Sequence, residues 1–326
     1  MDIIGGGKIH VYPPEDEYPH KPGPEWNWQE SFVLHFWDAQ QGLGGYFRIG
    51  HEPNYNGGTL AFWSYIVSPD GVFRRCEDLP LGANDFSKTG LSGGNGALKY
   101  EFDGKQIKWT VNEPGVKAEL FIEDFHPAVD GNRKEGKLSD FSAQHVEVAL
   151  GVTGTITTQG NTYKVNAMGI RDHGWGVRQW DTMLSHRWNV GVFDREHSFC
   201  AVTMLTRTDV LAKIGWVVRG DKVLYASEVD IAAVIECDGT TNRGGTLRMN
   251  LVTGEIFEAK YEHFMPSIVS TIHGLVCVDS FSKVTWGNRV GVGCFETSAN
   301  IQRGTHIPQI YEKGTFYTNG WFPARA

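Results

Sequence analysis

Short apolar and β-branched runs follow one another along this chain, with apolar and polar positions alternating at 31–38, and no segment sustains a 3.6-residue apolar period over a dozen residues. Short runs rich in aromatic and β-branched residues are punctuated by turn signals such as Ser-Pro-Asp-Gly (68–71), Glu-Pro-Gly (113–115) and Gln-Gly-Asn (159–161). The pattern predicts strands at 31–38, 45–51, 58–67, 72–75, 98–102, 106–111 and 116–125, then a long pair across 145–168. Strands resume at 188–193 and continue through 199–205, 212–219, 222–229, 231–236, 245–251, 256–263, 275–286 and 289–297. Residues 10–28 are rich in Pro and Trp and read as an extended arm, whose Trp26 and Trp28 pack over something apolar. Residues 127–140 read as an exposed loop, 267–273 as a loop or short helix, and 303–326 as an irregular tail packing back on a barrel.

The two halves repeat an order of features. A strand ending Phe36-Trp37-Asp38 precedes Tyr46-Phe47-Arg48-Ile49, then a Trp-bearing strand and Asp70-Gly71; Val192-Phe193-Asp194 likewise precedes Phe199–Val202, then Trp216 and Gly220-Asp221. This favours a duplicated antiparallel barrel over one large sheet. The expected division is residues 1–165, an N-terminal barrel with its arm, and 166–326, a C-terminal barrel.

Composition narrows the class. Gly at 40 residues and aromatics at 12 % suit short strands with tight turns. A net charge of -8 removes the basic face that a nucleic-acid partner needs. Cys76, Cys200, Cys237, Cys277 and Cys294 are far apart and form no CxxC pair, which argues against a zinc framework or a disulfide scaffold. No signal-peptide pattern and no run long enough to cross a bilayer is visible, so a cytoplasmic protein is expected. GxGxxG opening a helix, the P-loop, the GxSxG elbow and HExxH are all missing, which sets aside nucleotide, nicotinamide and α/β-hydrolase chemistry.

Candidate chemistry concentrates at Gly169–Asp181 and His186-Arg187-Trp188. Arg, Asp and His are seldom buried unless paired, so such a cluster is either paired internally or lines a cavity. On a strand, Arg171, His173 and Trp175 share one face and Asp172, Gly174 and Gly176 the other, unless the glycines make a turn. A histidine beside an aromatic wall can move a proton near neutrality, and an aspartic acid in an apolar pocket has a raised pKa and can act as the acid. Tryptophan faces stabilise a developing cation. The competing reading makes Arg171–Asp172 or Arg178–Asp181 buried ion pairs. Glu296 is either an acid partner for an arginine or a catalytic acid, and Trp63 and Tyr65 share a face.

The motif Arg171-Asp172-His173-Gly174-Trp175-Gly176, with Trp180, His186-Arg187-Trp188 leading to Phe193, Arg48-Ile49-Gly50…Pro53-Asn54 and Gly293-Cys294-Phe295-Glu296-Thr297, resembles the tandem lipocalin-like proteins. That group includes AttH-like proteins, carotenoid 1,2-hydratases and fungal decalin-forming Diels–Alderases. Many of them carry Ser where this chain has Gly174. The resemblance implies an all-β fold of two tandem lipocalin-like (calycin) antiparallel barrels and apolar, terpenoid- or polyketide-like substrates. It also implies additions, eliminations or cyclisations at C=C bonds without a redox cofactor.

The resulting expectation is a lyase or isomerase that needs no cofactor or metal and acts on a hydrophobic small molecule at the barrel junction. Its catalytic candidates are Asp172, His173, Glu296 and Tyr65, and its binding candidates Trp63, Trp175, Arg178, Trp180, His186 and Trp188. The alternative is a non-catalytic carrier of a hydrophobic molecule. Long edge strands would permit a homodimer.

Overall fold

The protein is described from a computed structural model, for residues 1–4, 13–130, 142–208, 210–236, 242–264, 267–300, 315–316 and 319–323. Among these residues the regular structure is β-strand, apart from two short 3-10 turns at Pro14–Glu17 and Trp180–Thr182. The expected all-β class therefore holds. No helix among them is long and apolar enough to cross a membrane.

Two compact units divide the chain. The first is built from residues of 13–129 and 142–178 plus the terminal strand Gly320–Pro323. Its sheet runs in the spatial order Gly320–Pro323, Gly71–Pro80, Thr59–Ser68, Leu43–Glu52, Trp28–Asp38, Asn161–Arg178, Ser142–Thr158, Val116–Asp124, Ile107–Glu113, Leu98–Phe102, Gly90–Gly93. The sheet curls but does not close. Its core face carries Phe32, Leu34, Phe36, Phe47, Ile49, Phe62, Tyr100, Trp109 and Leu120. Each such side chain contributes roughly 1.5–3 kcal/mol by leaving water.

The second unit contains a closed barrel of eight strands. Met183–Asp194, His197–Thr206, Leu211–Arg219, Lys222–Ile235, Asn242–Leu251, Ile256–His263, Ser282–Trp286 and Arg289–Phe295 pair in turn, and the last returns to the first. Its interior is apolar, with Phe199, Val217, Met249, Phe257 and Phe295. Asp2–Ile4 adds to Lys222–Ile235 in parallel.

Several local expectations change. Segments 222–229 and 231–236 form one strand, Lys222–Ile235, because Asp230 sits in unbroken register opposite Arg248. The predicted strand 275–286 divides into Leu275–Asp279 and Ser282–Trp286, which pair with different neighbours. Ser267–Ile272 is a strand, because it pairs with Leu275–Asp279 through the turn at His273-Gly274. The end of the tail, Gly320–Pro323, pairs with Gly71–Pro80 of the first unit. Among its described residues, 13–28, the arm carries a 3-10 turn at Pro14–Glu17 and no α-helix; Trp28 is buried, but Trp26 is 60 % exposed. Cys237, most of the loop 127–140 and residues 301–314 lie outside the described residues.

Candidate functional site

The strand Asn161–Arg178 runs unbroken through the charged motif, and through position 165. Gly169, Gly174 and Gly176 therefore make no turn between Asp172 and His173. The two side chains take opposite faces, as a period of two requires. Register then decides which residues each one meets.

On the core face, His173 lies opposite Phe32 and Arg171 opposite Leu34. The His173 ring stacks on Phe32 at 4.0 Å and lies 4.5 Å from Trp175. Burying an arginine and a histidine among such rings requires counter-charges, and Glu17 of the N-terminal arm supplies them together with Asp124 and Glu30 of the neighbouring strands. Arg171 donates to Asp124 through Nε (2.9 Å) and to Glu17 through Nη1 (3.2 Å). Tyr100 Oη donates to the Glu17 carbonyl at 2.9 Å. His173 Nε2 lies 3.1 Å from Glu30 Oε1, and His20 Nδ1 lies 2.7 Å from the same oxygen. Burial pushes the Glu30 carboxyl up, but the hydrogen bonds from His173 and His20 outweigh it and hold it below its ordinary value. Burial holds His173 below the usual histidine range despite Glu30. For the half-buried His20 burial also pulls down, yet Glu30 and Asp16 raise it.

The opposite face is a grid read across six strands. One row runs Glu147, Asp172, Val33, Arg48, Trp63. The next runs Ala149, Ile170, His35, Tyr46, Tyr65, Arg74. On the other side, Gly174, Ser31, Gly50 and Ala61 form a row of small residues. That row makes room for two guanidinium groups. A Cβ at Gly50 would lie 2.4 Å from Arg48 Nη1, and one at Gly174 would lie 3.1 Å from Arg178 Nη1 and 3.3 Å from the His145 ring. Arg48 lies 5.0 Å from the Trp63 ring centre and Arg74 lies 5.7 Å from that of Tyr65. Tyr46 meets both Trp63 and Tyr65 edge-on.

Asp172 is paired with His145, not with an arginine: His145 Nε2 lies 2.6 Å from Asp172 Oδ2. Burial pushes the carboxyl up, but His145, then Arg178 and Arg48, prevail and hold it below its ordinary value. This corrects the expectation of a raised pKa, because the surroundings are cationic rather than merely apolar. Asp172 is a carboxylate at neutral pH, a proton acceptor rather than a donor. Burial brings Arg178 down to about 10, against the attraction of Asp172. Its Nη1 donates to Ser142 Oγ at 2.6 Å. On this face Asp172 Oδ1 and Trp63 Nε1 have no hydrogen-bond partner among the described residues.

Of the ten expected site residues, Asp172, Arg178, Trp63 and Tyr65 share this face, while His173 and Trp175 lie on the core face. The remaining four belong to the second unit. There His186 Nδ1 lies 2.8 Å from Glu296 Oε1, Ser298 also donates to Glu296, and the Glu296 N–H donates to the Trp188 carbonyl at 2.9 Å. Glu296 thus pairs with a histidine and a serine, where an arginine was the expected structural partner. Trp180 stacks on His273 with ring centres 6.5 Å apart. The sequence reading missed Glu17, His20, Glu30, His145 and Glu147. An acid or histidine amid an apolar strand, as in Trp28–Asp38 and Ser142–Thr158, was the available signal.

A family model described as a domain of unknown function, DUF7064, matches residues 13–301. This chain is a member of the DUF7064 family. No curated protein matches this family member. Among solved structures, a putative AttH protein from Nitrosomonas europaea is similar at TM-score 0.68 and 13 % identity, covering 92 % of this chain and 99 % of that one. Kievitone hydratase from Nectria haematococca is similar at TM-score 0.64 and 11 % identity, covering 89 % and 92 %. CghA, also solved with Sch210972, is similar at TM-score 0.63 and 11 % identity, covering 86 % and 90 %. These likenesses bear out the fold that the motif resemblance implied.

Proposed function

We propose that this DUF7064 protein is a cofactor-independent lyase or isomerase. It hydrates, dehydrates or cyclises a hydrophobic terpenoid- or polyketide-like substrate at a C=C bond, with Asp172 as the general base. The observation that carries the reading is the half-engaged Asp172 carboxylate: Oδ2 is fixed by His145 at 2.6 Å while Oδ1 is buried with no partner among the described residues. A buried polar atom left unpaired is costly and calls for an explanation, and a substrate proton is one. His145 orients the carboxylate by holding Oδ2, which leaves Oδ1 to take the proton. Arg48 and Arg178 stabilise a developing oxyanion, and Trp63 and Tyr65 flank the substrate. Trp63 Nε1 offers a donor on the same row as Asp172, three strands away, or about 14 Å. That spacing suits an elongated molecule with an oxygen at one end and an acidic C–H or O–H at the other. The fold likeness to a kievitone hydratase supports hydration among these reactions.

A hydrophobic carrier is the second reading. It is favoured by the pairing of His173 with Glu30 and of Glu296 with His186, which occupies two of the groups expected to act. The discriminating experiment incubates the protein with unsaturated and hydroxylated apolar compounds and follows mass change by one water, or isomerisation, by chromatography and mass spectrometry. Turnover that Asp172→Asn abolishes while the fold is kept supports the enzyme. Tight binding with no product in either protein supports the carrier.

A further inference from the structure

The core face holds a second cluster, on the side of the sheet away from Asp172, that the proposed reaction does not use. Glu30 and His173 are 1 % and 0 % exposed, and the arm brings His20 to them. Glu30 Oε1 lies 2.7 Å from His20 Nδ1 and 3.1 Å from His173 Nε2, and all three atoms lie within 4.8 Å of one another. Around a tetrahedral ion with metal–ligand bonds of about 2.0–2.1 Å, ligand atoms sit roughly 3.3 Å apart. The three donors therefore need small adjustments to take an ion between them.

Their surroundings already resemble those of metal ligands. Metal-bound histidines commonly turn their second nitrogen to a carboxylate. His20 Nε2 faces Asp16 Oδ1 at 3.6 Å. The second Glu30 oxygen accepts the His20 backbone N–H at 2.8 Å, which fixes the carboxylate. Trp175 stacks on His20 at 4.4 Å, and Phe32 stacks on His173. Glu30 also lines a cavity of about 230 Å³ walled by Trp28, His51, Leu81 and Phe86, which gives solvent or a ligand access beside the cluster. The trio His145, Glu147 and Asp172 is also compact, but it offers one imidazole rather than two.

We infer that His20, Glu30 and His173 form a binding site for a divalent d-block ion of the zinc type. Two imidazole nitrogens and one carboxylate oxygen suit zinc or cobalt and are a poor match for the all-oxygen preference of calcium or magnesium. Such an ion would tie the arm, through His20, to the strands Trp28–Asp38 and Asn161–Arg178. The inference is independent of the proposed reaction.

The test uses the full chain without a polyhistidine tag, stripped with a chelator and titrated with Co²⁺. Uptake is read from d–d absorption and from metal content, followed by competition with Zn²⁺. One equivalent bound with four- or five-coordinate bands is the expected result. His20→Ala, on the half-buried arm, keeps the fold by circular dichroism and weakens binding by more than the about 10–100-fold that an outer-sphere partner is worth. Glu30→Gln does the same, and Asp16→Asn weakens it within that range. Failure of the folded wild-type chain to take up a stoichiometric ion would overturn the assignment. So would unchanged binding in His20→Ala, or binding lost in His145→Ala but kept in His20→Ala. Should Glu30→Gln not fold, the His20 and His145 variants still decide.

Discussion

The two faces of the strand Asn161–Arg178 contrast sharply although adjacent residues supply them. On the core face, Arg171 meets Glu17 and Asp124, and His173 meets Glu30. On the other, Asp172 meets one histidine through one oxygen and leaves the second without a partner among the described residues. The charged groups of the first face resist change because removing one strands its partners in a medium of low dielectric. The second face keeps an acceptor in reserve. A dense run of expensive residues thus divides into two kinds by parity alone, and only one kind is suited to proton transfer.

Four experiments bear on this contrast. The largest effect is expected from Asp172→Asn. It keeps the shape but removes the base, so turnover of an identified substrate should fall by about 10²–10⁴-fold, while the fold is kept at a smaller stability loss than Arg171→Met brings, because the charge facing His145 is lost. A large loss of stability instead would make Asp172 as structural as Arg171. The converse variant, Arg171→Met, should cost about 3 kcal/mol, the low end for breaking a buried pair, because Asp124 is partly exposed. Urea unfolding reads it, and a cost near zero would erase the contrast.

A third test concerns histidines with and without an acidic partner. Burial, with Arg243 adding to it, holds His263 of the second unit down to about 4. Its unfolded value is the higher one, so between pH 6.5 and 4 the unfolded chain binds more protons and stability falls as pH falls. His263→Gln should flatten that slope by at most about 1.4 kcal/mol per pH unit. Denaturant midpoints at pH 7 and pH 5 measure it, and an unchanged slope would refute the assignment.

The smallest effect is expected from Gly174→Ser. Its Cβ would crowd Arg178, the Gln144 carbonyl and His145 at 3.1–3.3 Å. A cost of about 1 kcal/mol is expected, together with weaker turnover as Arg178 shifts. The position is a probe of how firmly the guanidinium is held. Full activity with no stability change would show that the small-residue row is not needed.

The short aromatic and β-branched runs between turn signals determined the all-β class and the placement of most strands, and the period of two along a strand determined the opposition of Asp172 to His173. Side-chain direction along a strand is a local property. The motif was enough to suggest the tandem barrel group. Only the tertiary structure decided what each charge meets. His145 is 27 residues from Asp172, Glu30 is 143 from His173, and Glu17 is 154 from Arg171. It also decided that the first sheet curls without closing while the second closes. Cross-strand register and the path of the arm set these pairings, and neither leaves a periodic trace in the residues themselves. The sign of the Asp172 shift followed from the same cause: burial was legible in the pattern, but the cations brought up by neighbouring strands were not.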